Sequence, residues 1–337
     1  MTHEFKHLVE VAYKKKHLKH VLATVVALEG SSYRKPGVQM LISDDENMTG
    51  AVSGGCVEKE VQFQAQSVLE TQIPKVITYD GSYRLGCKGV LYILIEPFSI
   101  SETNYERIQK ELKERKTFEM TSFFQNEYSE SQDFGSVLAL STHEQLTFRT
   151  DFVPDENLAQ FKQSFSAIRQ LVIFGAEHDA IALCTAASQI GWEVRMVASP
   201  RDSRAIEIFP GVQHISYLDP EMPIDFIIDE QTAIVLMNHN YARDFHFLLK
   251  IHYQSAFYIG VLGSTQRREK LLHDVMEYNP ELALDFMENI YSPAGINIGA
   301  ITPQEIAISI LSEIIAVKNN KEVPSLRHQM GQIHIDK

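Results

Sequence analysis

The chain carries a cysteine, Cys56, directly behind two glycines, Gly54 and Gly55, at the start of a helical pattern. Glycines permit a tight turn and close approach of a ligand to backbone, and the free amides of a helix N-terminus favour anions. A thiol in that position can have a lowered pKa and act as a nucleophile or a soft metal ligand. Glu58, in the first helical turn, works in the opposite sense, because its charge disfavours a neighbouring thiolate. The position suits a small buried cysteine equally well, so local chemistry alone leaves two readings open.

A second thiol, Cys87, lies in Gly86-Cys87-Lys88-Gly89 with Arg84 close by. Arg84 and Lys88 can stabilise a thiolate or hold an anionic ligand, and a turn with incidental charge accounts for the same residues. Arg34 and Lys35 form a basic pair in a loop, where a phosphate contact is feasible and solvated charge is the commoner arrangement. Cys184, within an amphipathic helical pattern, reads as core. Three cysteines without CxxC spacing fit neither a disulfide framework nor a zinc site, and free thiols in a reducing cytoplasm are the simplest setting.

In the second half, Gly175-Ala176-Glu177-His178 stands at a strand-to-helix junction, the place of a dinucleotide fingerprint. Glu177 replaces the glycine that lets pyrophosphate approach, adding bulk and repulsion. The acidic ribose ligand expected after the next strand is missing; Ser199 and Arg201 stand there and would suit a 2′-phosphate, favouring NADP over NAD. The reading is a Rossmann scaffold with a degraded dinucleotide site, so NAD(P) binding is not expected. His239, in Asn238-His239-Asn240, follows an apolar strand, with Asp244 shortly after; catalysis and simple capping both suit a loop histidine there. Gly263-Ser264-Thr265 precedes a helix carrying Arg267 and Arg268, an anion-binding corner or a solvated helix face.

The elements that position these residues are legible in outline. An opening helix spans residues 4–16, and 21–28 is a continuous apolar, β-branched run that reads as a buried strand. Residues 38–42 and 48–52 form a hairpin that delivers the chain to the glycine-cysteine turn. Val57, Val61, Ala65, Val68 and Leu69 then recur at helical spacing. Strands at 75–79 and 90–95, a helix at 101–115 and three further strands complete the first part. Beyond it, apolar strands at 171–174, 193–197, 226–228, 233–237 and 256–261 alternate with helices at 179–190, 243–251 and 267–276, which indicates a doubly wound parallel sheet. A final helix opens on Thr302-Pro303-Gln304-Glu305, a capping box that accounts for Glu305. The fold class is therefore α/β, an N-terminal α+β domain followed by a Rossmann-like domain. The expected organisation is a first domain at 1–152, a linker at 153–168, the Rossmann-like domain at 169–318 and a polar tail at 319–337.

Composition agrees with such a globular chain: 337 residues, 44% hydrophobic and 22% charged. A net charge of −13 argues against nucleic-acid binding as the main task, and any anionic ligand needs a locally basic pocket. No stretch approaches the roughly 20 apolar residues of a membrane span, and residues 1–20 lack the apolar core of a signal peptide.

Taken together and in order, the motifs resemble the XdhC/CoxI family. The matching segments in the first half are Gly30-Ser31-Ser32-Tyr33-Arg34, Ser53-Gly54-Gly55-Cys56-Val57-Glu58 and Leu85-Gly86-Cys87-Lys88-Gly89. In the second they are Gly175-Ala176-Glu177-His178, Ser199-Pro200-Arg201, Met237-Asn238-His239-Asn240 with Asp244, Tyr258 to Ser264, and Ser292-Pro293-Ala294-Gly295 running into Thr302. The resemblance implies an accessory chaperone, not a turnover enzyme. Such a protein binds molybdenum cofactor (molybdopterin) as cargo, shields it during sulfuration and hands it to an apo molybdenum hydroxylase, with a cysteine desulfurase supplying sulfur. By the matching motifs Cys56 is the first candidate for the thiol that contacts the cofactor, whether as molybdenum ligand, persulfide carrier or pocket residue, and Cys87 the second; the size of a two-domain chain suits a homodimer. Gly54, Gly55, Glu58, Arg34 and Lys88 surround them, and Gly175, His178, Arg201, His239 and Arg267 are the candidates in the second domain. The sequence departs from the family at Glu177 and Ser199, where a glycine and an aspartate are usual, and at Lys88, which interrupts a glycine pair. An NADP-dependent oxidoreductase is the alternative that the Rossmann pattern suggests.

Overall fold

The apolar run at 21–28 becomes the central strand of a sheet because both of its faces are covered. A computed structural model of the chain describes residues 1–30, 35–80, 89–202, 204, 206–278 and 289–325, the side chain of Cys56 excepted. Contacts divide the chain into two units, Met1–Ile168 and Arg169–Lys337.

The first unit runs α1 (Thr2–Lys14), β1 (His20–Gly30), β2 (Gln39–Ser43), β3 (Met48–Gly50), α2 (Cys56–Thr71), β4 (Lys75–Asp80), β5 (Gly89–Pro97), α3 (Glu102–Lys113), β6 (Phe118–Phe124), β7 (Ser129–Glu130), β8 (Gly135–Ala139), β9 (Gln145–Thr147) and β10 (Ala159–Phe165). A six-stranded antiparallel sheet has the order β3-β2-β1-β5-β4-β7, and a four-stranded sheet the order β10-β6-β8-β9. Alternation along β1 sends Val21, Ala23 and Val25 to the side covered by Val57, Val61, Ala65 and Val68 of α2. Leu22 faces the other way, into a core built with Phe5 and Leu8 of α1 and with Met120 and Leu138 of the second sheet.

Residues 159–165, expected within a linker, form β10 and pair with β6 in unbroken register from Ala159↔Phe124 to Phe165↔Phe118. Their polar look hides a period of two: Gln163 and Phe165 turn inward, while Gln160, Lys162 and Ser164 face solvent.

Glu96, on β5, bridges the two sheets, since its carboxylate accepts the Ser136 backbone N–H at 2.9 Å and the Ser136 hydroxyl at 2.5 Å. Burial pushes this carboxyl up to about 7 against the bonds from Ser136, from 4.5 in the free residue. The folded chain therefore binds more protons than the unfolded chain between those values. Stability falls as pH rises across that window, by roughly 3 kcal/mol, and is level above it. Glu96→Gln is expected to flatten that slope in urea unfolding measured on either side of the window; an unchanged slope would contradict the assignment.

The second unit runs β11 (Gln170–Phe174), α4 (His178–Gln189), β12 (Glu193–Ala198), β13 (His214–Tyr217), β14 (Thr232–Leu236), α5 (Tyr241–Ile251), β15 (Tyr258–Val261), α6 (Thr265–Tyr278), β16 (Ile290–Tyr291) and α7 (Pro303–Lys318). Its sheet is parallel throughout, in the order β13-β12-β11-β14-β15-β16. One face packs on α4 and α7 through Leu183, Ala187, Ile310 and Ile314, and the other on α5 and α6 through Phe247, Leu248, Leu271 and Val275. This is the doubly wound architecture read from the sequence. Residues 226–228 are an exception to that reading: they form no strand, and the third strand on that side is β13. Phe226 and Ile228 pack on the sheet's core while the Ile227 carbonyl accepts a bond from the Gln170 side chain, so burial occurs without a ladder.

At the start of α7 the Thr302 hydroxyl accepts the Glu305 N–H at 3.3 Å, and the Glu305 carboxylate accepts the Thr302 N–H at 2.9 Å. Thr302→Ala is expected to cost about 1 kcal/mol in thermal unfolding, with Thr302→Ser near neutral. Equal losses in the two variants would contradict a capping role. Among the described residues no helix is long and apolar enough to cross a membrane.

Candidate cofactor site

In the first unit the hairpin of β2 and β3 sets the direction. Gly50 pairs with Met40, which pairs with Ala23, so β3 runs parallel to β1. Residues 51–55 continue that way, and α2 then returns antiparallel to β1, because Lys19, just before β1, donates to the Leu69 carbonyl at 3.4 Å near the helix's end. Cys56, the first residue of α2, thus stands toward the far end of β1, where Gly30 pairs with Gly89. The segments 31–34 and 81–88 attach at that same end. Arg34, Cys87 and Lys88, which they carry, lie outside the described residues.

Gly55 adopts φ +25°, in the region that favours glycine, and among the described residues no atom lies within 4 Å of a Cβ placed on Gly54 or Gly55. Glu58 is 9% exposed and reaches back across the turn, where one carboxylate oxygen accepts the Ser53 backbone N–H at 2.8 Å. This fixes the turn much as a capping box would. Its other oxygen, Oε2, is buried and has no hydrogen-bond partner among the described residues. The Tyr79 hydroxyl is in the same condition and shares the α2-covered core. Buried polar atoms are satisfied as a rule, so an acceptor and a donor without partners mark the α2-covered face as able to take further hydrogen bonds. Tyr79 escaped the sequence reading, although the period of two from Ile77 on β4 places it on the α2 side. Cys184 is core as expected: it is fully buried beside the Pro210 carbonyl, and burial pushes its thiol up to about 12.

In the second unit the candidates lie at the carboxyl ends of the parallel strands, where such sheets bind ligands. Gly175 follows β11 with φ +137°, and a Cβ there would stand 2.7 Å from the Met237 carbonyl oxygen, so glycine is required for the loops after β11 and β14 to meet. His178, the first residue of α4, is exposed, as are His239 and Arg201. Glu177, in the place of the fingerprint glycine, stands 3.7 Å from Arg204, which also pairs with Asp202 at 2.6 Å. Arg267 is turned inward and pairs with Asp244, which is 1% exposed. Asp244 also accepts from the Asn238 side-chain amide at 2.7 Å, and Arg267 donates to the Asn238 carbonyl at 3.3 Å. Burial pushes the Asp244 carboxyl up to about 6 against the pull of Asn238 and Arg267. Asp244 and Arg267 thus brace the loop that presents His239 and bring it against Gly175. The sequence offered Arg267 as an anion ligand but held no sign of this brace, which depends on which way the guanidinium turns.

Residues 14–80 match the profile of the XdhC and CoxI family, and residues 171–314 that of the XdhC Rossmann domain. The chain is 30% identical over 323 residues to a Bacillus subtilis protein described as a probable xanthine dehydrogenase subunit, covering 90% of this chain and 94% of that protein. This chain belongs to the XdhC and CoxI family. Among its relatives is the molybdenum cofactor insertion chaperone PaoD of Escherichia coli, 26% identical over 314 residues, with 90% of this chain and 85% of PaoD covered. A crystal structure of a protein described as a xanthine dehydrogenase, from Bacillus halodurans, has the same fold with a TM-score of 0.77. It is 26% identical, and the match covers 94% of this XdhC-type chain and 96% of that one.

Proposed function

We propose that this chain is a maturation chaperone that binds molybdenum cofactor in its first unit, promotes its sulfuration and hands it to an apo molybdenum hydroxylase. The observation that carries the reading is the position of Cys56: the first residue of a 16-residue helix, directly behind a glycine turn whose Gly55 has φ +25°. The kinship with PaoD, itself a molybdenum cofactor insertion chaperone, supports the same role.

The residues fit such a cargo chemically. The Cys56 thiol offers a soft donor to a molybdenum-dithiolene centre, and the amides that open α2 suit an anionic group. Glu58 holds the turn through Ser53 and keeps one oxygen for a donor, and the Tyr79 hydroxyl can serve an acceptor. Arg34, Cys87 and Lys88 are proposed as further contacts from the segments attached at this end. A cysteine desulfurase is the proposed sulfur source, and the working form is a cytoplasmic homodimer. Gly175, His178, Arg201, His239 and Arg267, at the carboxyl ends of the second unit's strands, are proposed as cofactor-handling residues of that unit rather than a dinucleotide site, because Glu177 stands where a glycine would let pyrophosphate approach.

Protein purified from cells that make the cofactor is expected to release a pterin, seen as fluorescence after oxidation, and to give no heat with NADPH at millimolar concentration. Saturable NADPH binding without any pterin would overturn the reading in favour of an oxidoreductase.

A further inference from the structure

The helices on the two faces of the second unit differ in kind. On one face α6 carries Arg267, Arg268, Glu269, Lys270, Asp274 and Glu277, as a helix against solvent does. On the other face α4 carries one full charge, Asp179, and α7 carries Glu305, Glu313 and Lys318. Those of α7 are engaged within the unit. The Glu305 carboxylate accepts the Ile301 and Thr302 N–H groups, Glu313 accepts the Tyr258 hydroxyl at 2.6 Å and the Gly295 N–H at 2.8 Å, and Lys318 donates to the Glu230 carbonyl at 2.7 Å. Between α4 and α7 runs a groove of about 660 Å³ with no Asp, Glu, Lys or Arg along it. Ala182 and Ala186, too small to fill it, line it together with Ile308, which is 56% exposed. Apolar residues lie on every side of α7, a composition that belongs to a helix covered all round, and Ile308 is on the side left uncovered. Ile298 and Ile301, just before α7, are exposed as well.

We infer that this face is the contact between two copies of the chain, with α4 and α7 of one packed on α4 and α7 of the other about a two-fold axis. The inference rests on the homodimer of the proposed function and supplies its interface. Charge selects a second copy, because two chains that each carry −13 repel and meet at least cost where charge is absent. Shape agrees. A two-fold contact must be self-complementary, and the same face holds a projecting Ile308 and the hollow over Ala182 and Ala186 that Ile308 of a second copy would fill. Area agrees too. Helices of 12 and 16 residues are about 18 and 24 Å long and pack about 10 Å apart, so they present a face of roughly 20 by 20 Å, or about 400 Å² when taken as flat. Its corrugation and the exposed Ile298 and Ile301 add to this, toward the roughly 800 Å² per partner of a standard interface.

The test is sedimentation equilibrium of the full chain over a range of concentrations. Wild type is expected to reach twice 38.3 kDa at the upper end. Ile308→Glu, which sets carboxylates against apolar surface across the axis, is expected to weaken association about tenfold or more, and Thr185→Lys, across the groove, to do the same. An equimolar mixture of these two variants is expected to recover the dimer, because the new carboxylate and the new ammonium then face each other. Met276→Glu, on the exposed side of α6, is expected to behave as wild type. A dimer unchanged in Ile308→Glu would overturn this face and leave the homodimer standing. A wild type that stays monomeric would overturn both, and if Ile308→Glu then lost capture of an apo molybdenum hydroxylase, the face would belong to that partner. Pterin release is read on the same samples, since its absence from a dimeric wild type fails the cargo reading and not the interface.

Discussion

Asp244→Ala is expected to lower stability by about 3–5 kcal/mol, the cost of leaving a buried ion pair without one partner. The loss comes from more than a missing attraction. Asn238 would lose the acceptor of its side-chain amide, and the Arg267 guanidinium would keep the Asn238 carbonyl and the face of the Tyr241 ring but no carboxylate. Arg267 keeps 22% of its side chain exposed, so solvent recovers part of its hydration and the lower end of the range is the expected value. For a unit of this size that is roughly 6–12 °C in melting temperature. Asp244→Asn, which keeps an acceptor for Asn238, should lose less. The sign of the pH dependence is also fixed. Because the Asp244 carboxyl is raised from 3.8 to about 6, the folded chain binds the extra proton between those values, and this contribution falls as pH rises through them. A melting temperature within a degree or so of wild type would mean that the brace carries no weight.

The second large effect is expected at Cys56. Serine is nearly isosteric with cysteine and, at the first position of α2, should leave the helix intact, yet it replaces a soft donor by a hard hydroxyl. Cys56→Ser is therefore expected to retain the far-ultraviolet circular dichroism and melting temperature of wild type while losing about tenfold or more of its retained pterin, which is 1.4 kcal/mol or more. Glu58→Gln separates the thiol from its setting. The amide oxygen can still accept the Ser53 N–H, so the turn survives, and a smaller change in retention is expected. Full retention by a well-folded Cys56→Ser would remove the thiol from the account.

The two kinds of structure were unequally legible in the sequence. Alternation of strands and helices in the second half reached the doubly wound sheet because each βαβ step shows its period locally. The stretch 159–165 did not, since an antiparallel strand with one wet face looks polar, and only its pairing with β6 distinguishes it from a connection. Residues 226–228 failed the other way, being apolar and buried but without a ladder. At the site, the sequence indicated Cys56 and its glycines but read Glu58 only as a charge that opposes a thiolate. The carboxylate's bond to the Ser53 N–H shows that it holds the turn, an effect of side-chain direction that no spacing reveals. The bond between Asp244 and Arg267 was hidden for the same reason: 23 residues separate them, and β15 with its loop intervenes.

The most direct measurement of the central claim is transfer. Protein loaded with sulfurated molybdenum cofactor is mixed with an apo molybdenum hydroxylase, and substrate oxidation is followed over time. Wild type is expected to restore activity faster than an equal amount of free cofactor, and Cys56→Ser prepared in the same way to give no more than the free cofactor does. Activation by the wild type no faster than by free cofactor, with the loaded protein still folded, would contradict the account.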